Sequence, residues 1–236
     1  MSMSKFAVAV SCVALALAVP AGAMTVDIQD PWSPGDSEVN FYDIWNVLYP
    51  NSAPGGLNYT SSMDVWNDWG NDSLAAQQGM FALTVDPGEV EVEAVYAGNQ
   101  QDFGWYYPTN QPLGGGDSQT LITDASAGDS ATFSPSGTPF GFYLTTTGAA
   151  SNTFYVNRFL NPNDNPQGLV FSTPVANELV IAWEDINLDG GSDRDYNDLV
   201  VRLRDVKVVP EPATMTLLGM GLAGAAFRRF RSNRLR

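Results

Sequence analysis

Residues 178–206, ELVIAWEDINLDGGSDRDYNDLVVRLRDV, decide the fold. Two apolar runs, ELVIAW and DLVVRL, flank an acidic connection. Each run has strand length and is rich in Val, Ile and Leu, so the two read as neighbouring antiparallel strands. The connection, 184–198, holds Glu184, Asp185, Asp189, Asp193, Asp195 and Asp198, with Arg194 as its one cation. A hairpin loop that long and that acidic is uncommon without a role. Two carboxylates about 4 Å apart repel by about 4 kcal/mol at an effective dielectric near 20. Such a segment opens unless something compensates.

The spacing suggests what compensates. Asp185-x-Asn187-x-Asp189-Gly190 reproduces the opening of a calcium loop, in which oxygen ligands alternate and a glycine permits the sharp turn. Asp193 falls at the ninth place. Tyr196 stands at the twelfth instead of a bidentate Glu, and strands rather than helices flank the loop, so this is not an EF-hand. Asp195, Asn197 and Asp198 lie close enough in sequence to supply the missing oxygens. The donors are all hard oxygens, and there are more of them than magnesium needs. Calcium is therefore the expected ion.

Outward from this loop, the chain is punctuated by short runs. EVNFYDIWNVL places Phe41, Ile44, Trp45 and Leu48 on one helical face, with Asp36-Ser37 as N-cap and Pro50 as terminator. MFALTV leads through Asp86-Pro87-Gly88 into EVEVEAVYA, which reads as a hairpin. QTLIT, PFGFYLTTT, NTFYVNRF and GLVFS follow, separated by Gly, Pro, Asn and Asp. The expected fold is mainly β: an antiparallel β-sandwich or jelly-roll-like domain with one short N-terminal helix.

Both ends read as address labels. Lys5, the apolar run Phe6 to Val19 and Ala21-Gly22-Ala23 follow the order of a secretory signal peptide, giving a boundary at 1–23. The extracellular body is expected at 24–208. Residues 209–236 hold Pro210-Glu211-Pro212, an apolar stretch and five arginines from Arg228 and Arg229 to Arg236. Residues 24–209 carry 25 of the 26 acidic residues against five basic ones, a formal charge of −20. Electrostatic binding to nucleic acid is thereby excluded.

The chain has no histidine, and its one cysteine, Cys12, lies in the signal segment. Ser-His-Asp and Cys-His catalysis, His-ligated zinc and structural disulfides are excluded with them. Acid pairs suited to glycoside hydrolysis exist in any such composition, and nothing fixes their separation. The expectation is a protein that is not an enzyme.

Two resemblances add to this reading. EDINLDGGSDRDYNDLVVRL resembles the signature of a bacterial extracellular module, domain of unknown function 4114. YAGNQQDFGWYY is similar to segments of the same group. The resemblance implies a β-rich, calcium-binding surface domain and carries over Glu184, Asp185, Asp193, Asp195, Asn197 and Asp198. Asn187 and Asp189 rest on the loop pattern. VPEPATMTLLGMGLAGAAFRRFRSNRLR resembles the PEP-CTERM sorting signal, with Pro210, Glu211, Pro212, Arg228 and Arg229 as its marks. That likeness implies export in a Gram-negative bacterium, an apolar helix held in the inner membrane before processing, and an exosortase as processing partner.

Together these lead to an exported cell-surface or biofilm-matrix protein, structural or adhesive, stabilised by Ca2+ and in contact with exopolysaccharide or another matrix component. The alternative is a carbohydrate-binding module that stacks Trp66, Trp69, Trp105, Tyr106 and Tyr107 on sugar rings.

Overall fold

The alternation in EVEVEAV becomes a strand with two unlike faces. In β4 (Gly88–Val95), Val90 and Val92 are buried, while Glu89, Glu91 and Glu93 lie on the opposite face. The computed structural model that shows this describes residues 27–28, 39, 41–50, 52, 63–64, 79–108, 118–147 and 151–209. The expected signal peptide, the helix N-cap at 36–37, Trp66, Trp69 and the sorting-signal residues from Pro210 onward lie outside them.

Two antiparallel sheets make up the body. The five-stranded sheet has the order β10 (Gly168–Ser172), β11 (Glu178–Trp183), β12 (Leu199–Arg204), β4 and β7 (Ser130–Phe133). The four-stranded sheet has the order β6 (Ser118–Ile122), β5 (Gln100–Tyr106), β8 (Gly141–Thr147) and β9 (Asn152–Tyr155). A ribbon of β3 (Phe81–Leu83) with β13 (Val206–Val208) and a short pair, β1 (Asp27–Ile28) with β2 (Met63–Asp64), complete the strands among the described residues.

The sheets meet through aromatic rings. Phe103 of β5 approaches Trp183 of β11 edge-on at 6.4 Å, and Phe133 of β7 meets Phe142 of β8 at 5.7 Å. The apolar residues of both sheets form one core. Helix α1 (Phe41–Leu48) covers the outer side of the five-stranded sheet, with the Phe41 ring stacked on Phe171 at 4.5 Å. That cover explains why all six residues of β11 are buried. The fold is thus the expected β-sandwich with one short helix.

One local expectation changes. β3 does not pair with β4; it pairs with β13, and both flanks of β4 are occupied by β12 and β7. Charge gives the reason. The glutamates of β4 meet Arg202 of β12, which lies 2.6 Å from Glu91 and 2.7 Å from Glu93. That contact accounts for the β12 flank; β7 takes the other through backbone pairing.

On the outer face of the four-stranded sheet, Tyr106, Tyr143 and Tyr155 form a second small cluster. Glycine makes room for it: a Cβ at Gly104 would stand 2.6 Å from the Tyr143 ring. At the end of the body, Val209 donates its N–H to Met80 O at 2.8 Å. Among the described residues no helix is long and apolar enough to cross a membrane.

Candidate metal centre

The acidic loop joins β11 to β12, which pair in register from Glu178 opposite Arg204 to Trp183 opposite Leu199. The sheet therefore brings Glu184 and Asp185, just after β11, beside Asp198, just before β12. Everything between must fold back over this strand end. Gly191 at φ +102 and two non-glycine residues in the left-handed region, Arg194 and Tyr196, make the reversal.

Three anchors hold the loop. The fully buried Gln167 is the first: its Nε2 donates to the carbonyls of Glu184 and Ile186, at 3.2 and 2.9 Å, and its Oε1 accepts from Leu188 N at 3.0 Å. Tyr196, also fully buried, donates its hydroxyl to Pro166 O at 2.8 Å. Asn197 donates Nδ2 to Val39 O at 2.7 Å, and Phe41 N donates to Asp195 O at 3.2 Å, tying the loop to the start of α1.

Within that frame the eight expected ligands separate into groups. Glu184, Asp193 and Asp195 bring carboxylate oxygens within 4.8 Å of one another. Oxygens bound at 2.3–2.6 Å to one calcium lie at most about 5 Å apart, so this spacing fits. Asn197 joins the group through Nδ2, 2.7 Å from Asp195 Oδ2. Its Oδ1 is buried and has no hydrogen-bond partner among the described residues. Asp185 and Asp198 form a neighbouring pair, with Asp198 Oδ2 accepting the Asp185 N–H at 2.8 Å.

Asn187 and Asp189 turn elsewhere. Asp189 Oδ2 accepts from Asn163 Nδ2 at 2.7 Å and Asn165 Nδ2 at 2.9 Å, on the segment before β10. Asn187 Oδ1 accepts from Asn165 and from Asp189 N. The alternation Asp-x-Asn-x-Asp thus serves loop docking in this structure and does not converge on one point.

Electrostatics separates the buried carboxyls at the strand ends from Asp189. Burial pushes the Glu184 carboxyl up to about 7, with the Asp193 charge adding; the Ser192 hydroxyl and the Tyr196 N–H, which both donate to it, pull the other way. Burial also raises Asp198 to about 9, reinforced by the charges of Asp185, Glu184 and Asp195. Asp185 is raised by burial as well, with Asn99 and Gln101 opposing. Asp189, by contrast, is lowered by the amides of Asn163 and Asn165. The three raised groups are in an environment that resists their negative charge, while Asp189 already has its partners.

Sequence reasoning did not find Gln167, Asn99, Gln101 or the Asn-rich stretch 161–165. The signal for the last was its composition, NPNDN, separated from the acidic loop by β10 and β11. Asn99 and Gln101 lie inside YAGNQQDFGWYY, a segment noted only for its likeness. Of the aromatics considered for sugar stacking, Trp105 and Tyr106 are buried and Tyr107 is half-buried. Trp105 faces Phe142 across the β5–β8 register, within the core.

Comparison with known families matches two parts of the chain. Residues 134–205 match the family described as Domain of unknown function (DUF4114), a span running from β8 to the end of β12 that includes the whole acidic loop. Residues 208–231 match the PEP-CTERM protein-sorting motif. The chain carries an exosortase sorting signal and is an exported protein of the Gram-negative type, held transiently at the membrane. No curated protein and no solved structure matches it.

Proposed function

We propose that the body of this exported protein is a calcium-stabilised, non-enzymatic structural or adhesive domain of the cell surface or exopolysaccharide matrix. The observation that carries the reading is the convergence of Glu184, Asp193 and Asp195 within 4.8 Å, two of them buried. Calcium bound there replaces mutual repulsion with attraction. The donor set is oxygen only, which suits calcium over zinc or copper.

The ion's task is then cohesion. Glu184 belongs to the strand end, while Asp193 and Asp195 belong to the returning limb of the loop, so an ion between them closes the loop onto the sheet. Through Asp195 O and Asn197 the same closure reaches α1. A domain without disulfides gains its cross-link this way. An ion at 1,000 times its dissociation constant adds about 4.1 kcal/mol.

Thermal unfolding of the full chain, in calcium and in chelator, tests the reading. A midpoint raised by calcium in the wild type and not in Asp193→Asn is the expected result. Equal midpoints in calcium and chelator for the wild type would remove the calcium reading.

A further inference from the structure

We propose that the acidic loop is the latch of helix α1, an inference that rests on the calcium reading of the Glu184–Asp193–Asp195 group. Calcium held there fastens the start of the helix to the sheet. Its loss lets that start open more often and uncovers part of an apolar strip.

The helix depends on what it docks against. Eight residues are too few to hold a helix together in water. The Phe41 N–H belongs to the first turn, whose four donors find no acceptor inside a helix. It donates to Asp195 O at 3.2 Å. The Val39 carbonyl, just before the helix, accepts from Asn197 Nδ2 at 2.7 Å across 158 positions of sequence. The same Nδ2 donates to Asp195 Oδ2 at 2.7 Å, and Asp195 is one of the three converging carboxylates. A continuous line of contacts therefore runs from those carboxylates to the start of α1.

The far end of the helix is held independently of the loop. Tyr49 N donates to Trp45 O at 2.8 Å, Trp45 Nε1 to Ser52 O at 2.7 Å, and the Tyr49 hydroxyl to Glu178 on β11. Opening governed by the loop thus begins at Phe41. Its ring stacks on Phe171, and Leu169, Val180, Ala182 and Val200 share that outer face of the sheet, all of them buried. Burial of Phe41 and Trp45 outweighs two hydrogen bonds. The ion therefore sets how often the helix start opens, and packing keeps the rest of α1 docked in either state.

Repulsion is what the latch works against. Without an ion, ionised Glu184, Asp193 and Asp195 push the returning limb of the loop away from the end of β11. That limb carries both bonds to the helix start, through Asp195 O and Asn197. An ion draws the limb in and holds both bonds in place.

Hydrogen exchange of the full chain, in calcium and in chelator at one pH, reads the latch, while the thermal midpoint reads the ion separately. The amides of Phe41 to Ile44 should exchange about tenfold or more slowly in calcium. Coupling between two sites is reciprocal. Phe41→Ala, which removes none of the carboxylates, should therefore weaken calcium binding in calorimetric titration by a similar factor. Val47→Ala, on the exposed side of the same helix, should leave it unchanged. If Phe41→Ala does not fold, the exchange comparison in the wild type decides alone. A midpoint raised by calcium with no slowing at Phe41 to Ile44, or with an affinity indifferent to Phe41→Ala, would overturn the latch and leave the ion. A midpoint that ignores calcium would overturn both.

Discussion

Tyr49, at the end of α1, donates its hydroxyl to Glu178 Oε1 at 2.6 Å across 129 positions of sequence. Glu178 begins β11 and is buried, and its other oxygen faces Arg204 Nε at 3.4 Å. The bond fixes the helix to the outer side of the sheet at the point where the apolar cover of Phe41 and Trp45 ends. Tyr49→Phe keeps the ring and removes the hydroxyl, leaving a buried carboxylate oxygen one donor short. Denaturant titration should show a loss of about 1–2 kcal/mol. Val47, exposed on the same helix, provides the control: Val47→Ala should stay within about 0.5 kcal/mol of wild type.

Gln167 holds the first half of the acidic loop by three side-chain bonds to backbone groups. Gln167→Met fills the same space and strands the Leu188 N–H and two carbonyls. We expect a loss of about 2–4 kcal/mol. On the calcium reading, affinity for the ion should also fall by about tenfold, because Glu184 loses the support of its own backbone. Unchanged affinity in a destabilised variant would show that Gln167 shapes the loop without positioning the ligands.

The raised carboxyls set a pH dependence for the metal-free protein. Glu184 at about 7 and Asp198 at about 9 are both above the ordinary carboxylate range, so the fold favours their protonated forms. Their contribution to stability is complete below about pH 4 and is lost as pH rises through the folded values. In chelator, the melting temperature should therefore fall between about pH 5 and pH 9 on their account. Calcium favours the ionised forms and should flatten this slope, so the gap between loaded and chelated protein widens with pH. A chelated midpoint that rises steadily across that window would contradict the arrangement.

Much of the architecture was legible because the strands announce themselves. GLVFS, ELVIAW and DLVVRL became β10, β11 and β12, and the paired strands at the loop followed from their proximity. Two strands of the main sheets were not readable. β5 interrupts its apolar residues with Gln101, Asp102 and Gly104, each required by a neighbour rather than by a period: Gln101 by Asp185, Gly104 by Tyr143. β7 is four residues at a sheet edge, with Phe133 as its one large apolar side chain. The pairing of β3 was misread because proximity in sequence suggested a hairpin, while its partner β13 lies more than 100 positions away.

The candidate site was legible in composition and not in grouping. The six acids and two amides of the loop could be named from the sequence, but the backbone reversal at Gly191 determines which of them meet. Asp189 answers to Asn163 and Asn165, and Asp185 to Asn99 and Gln101. Those partners come from two distant segments, and no local spacing rule contains them.

The junction at Val209 has a mechanical consequence. The last backbone bond of the body, Val209 N to Met80 O, falls within the span matched by the sorting motif, which begins at residue 208. The described fold and the matched motif thus share residues 208 and 209. A pull through the C-terminus acts first on β13, three residues paired with β3, and then, across Asp205 alone, on β12. The next element along that line of force is the acidic loop. Ions that close the loop would therefore act as a brake, stopping at the start of β12 a tear that begins at the C-terminal end.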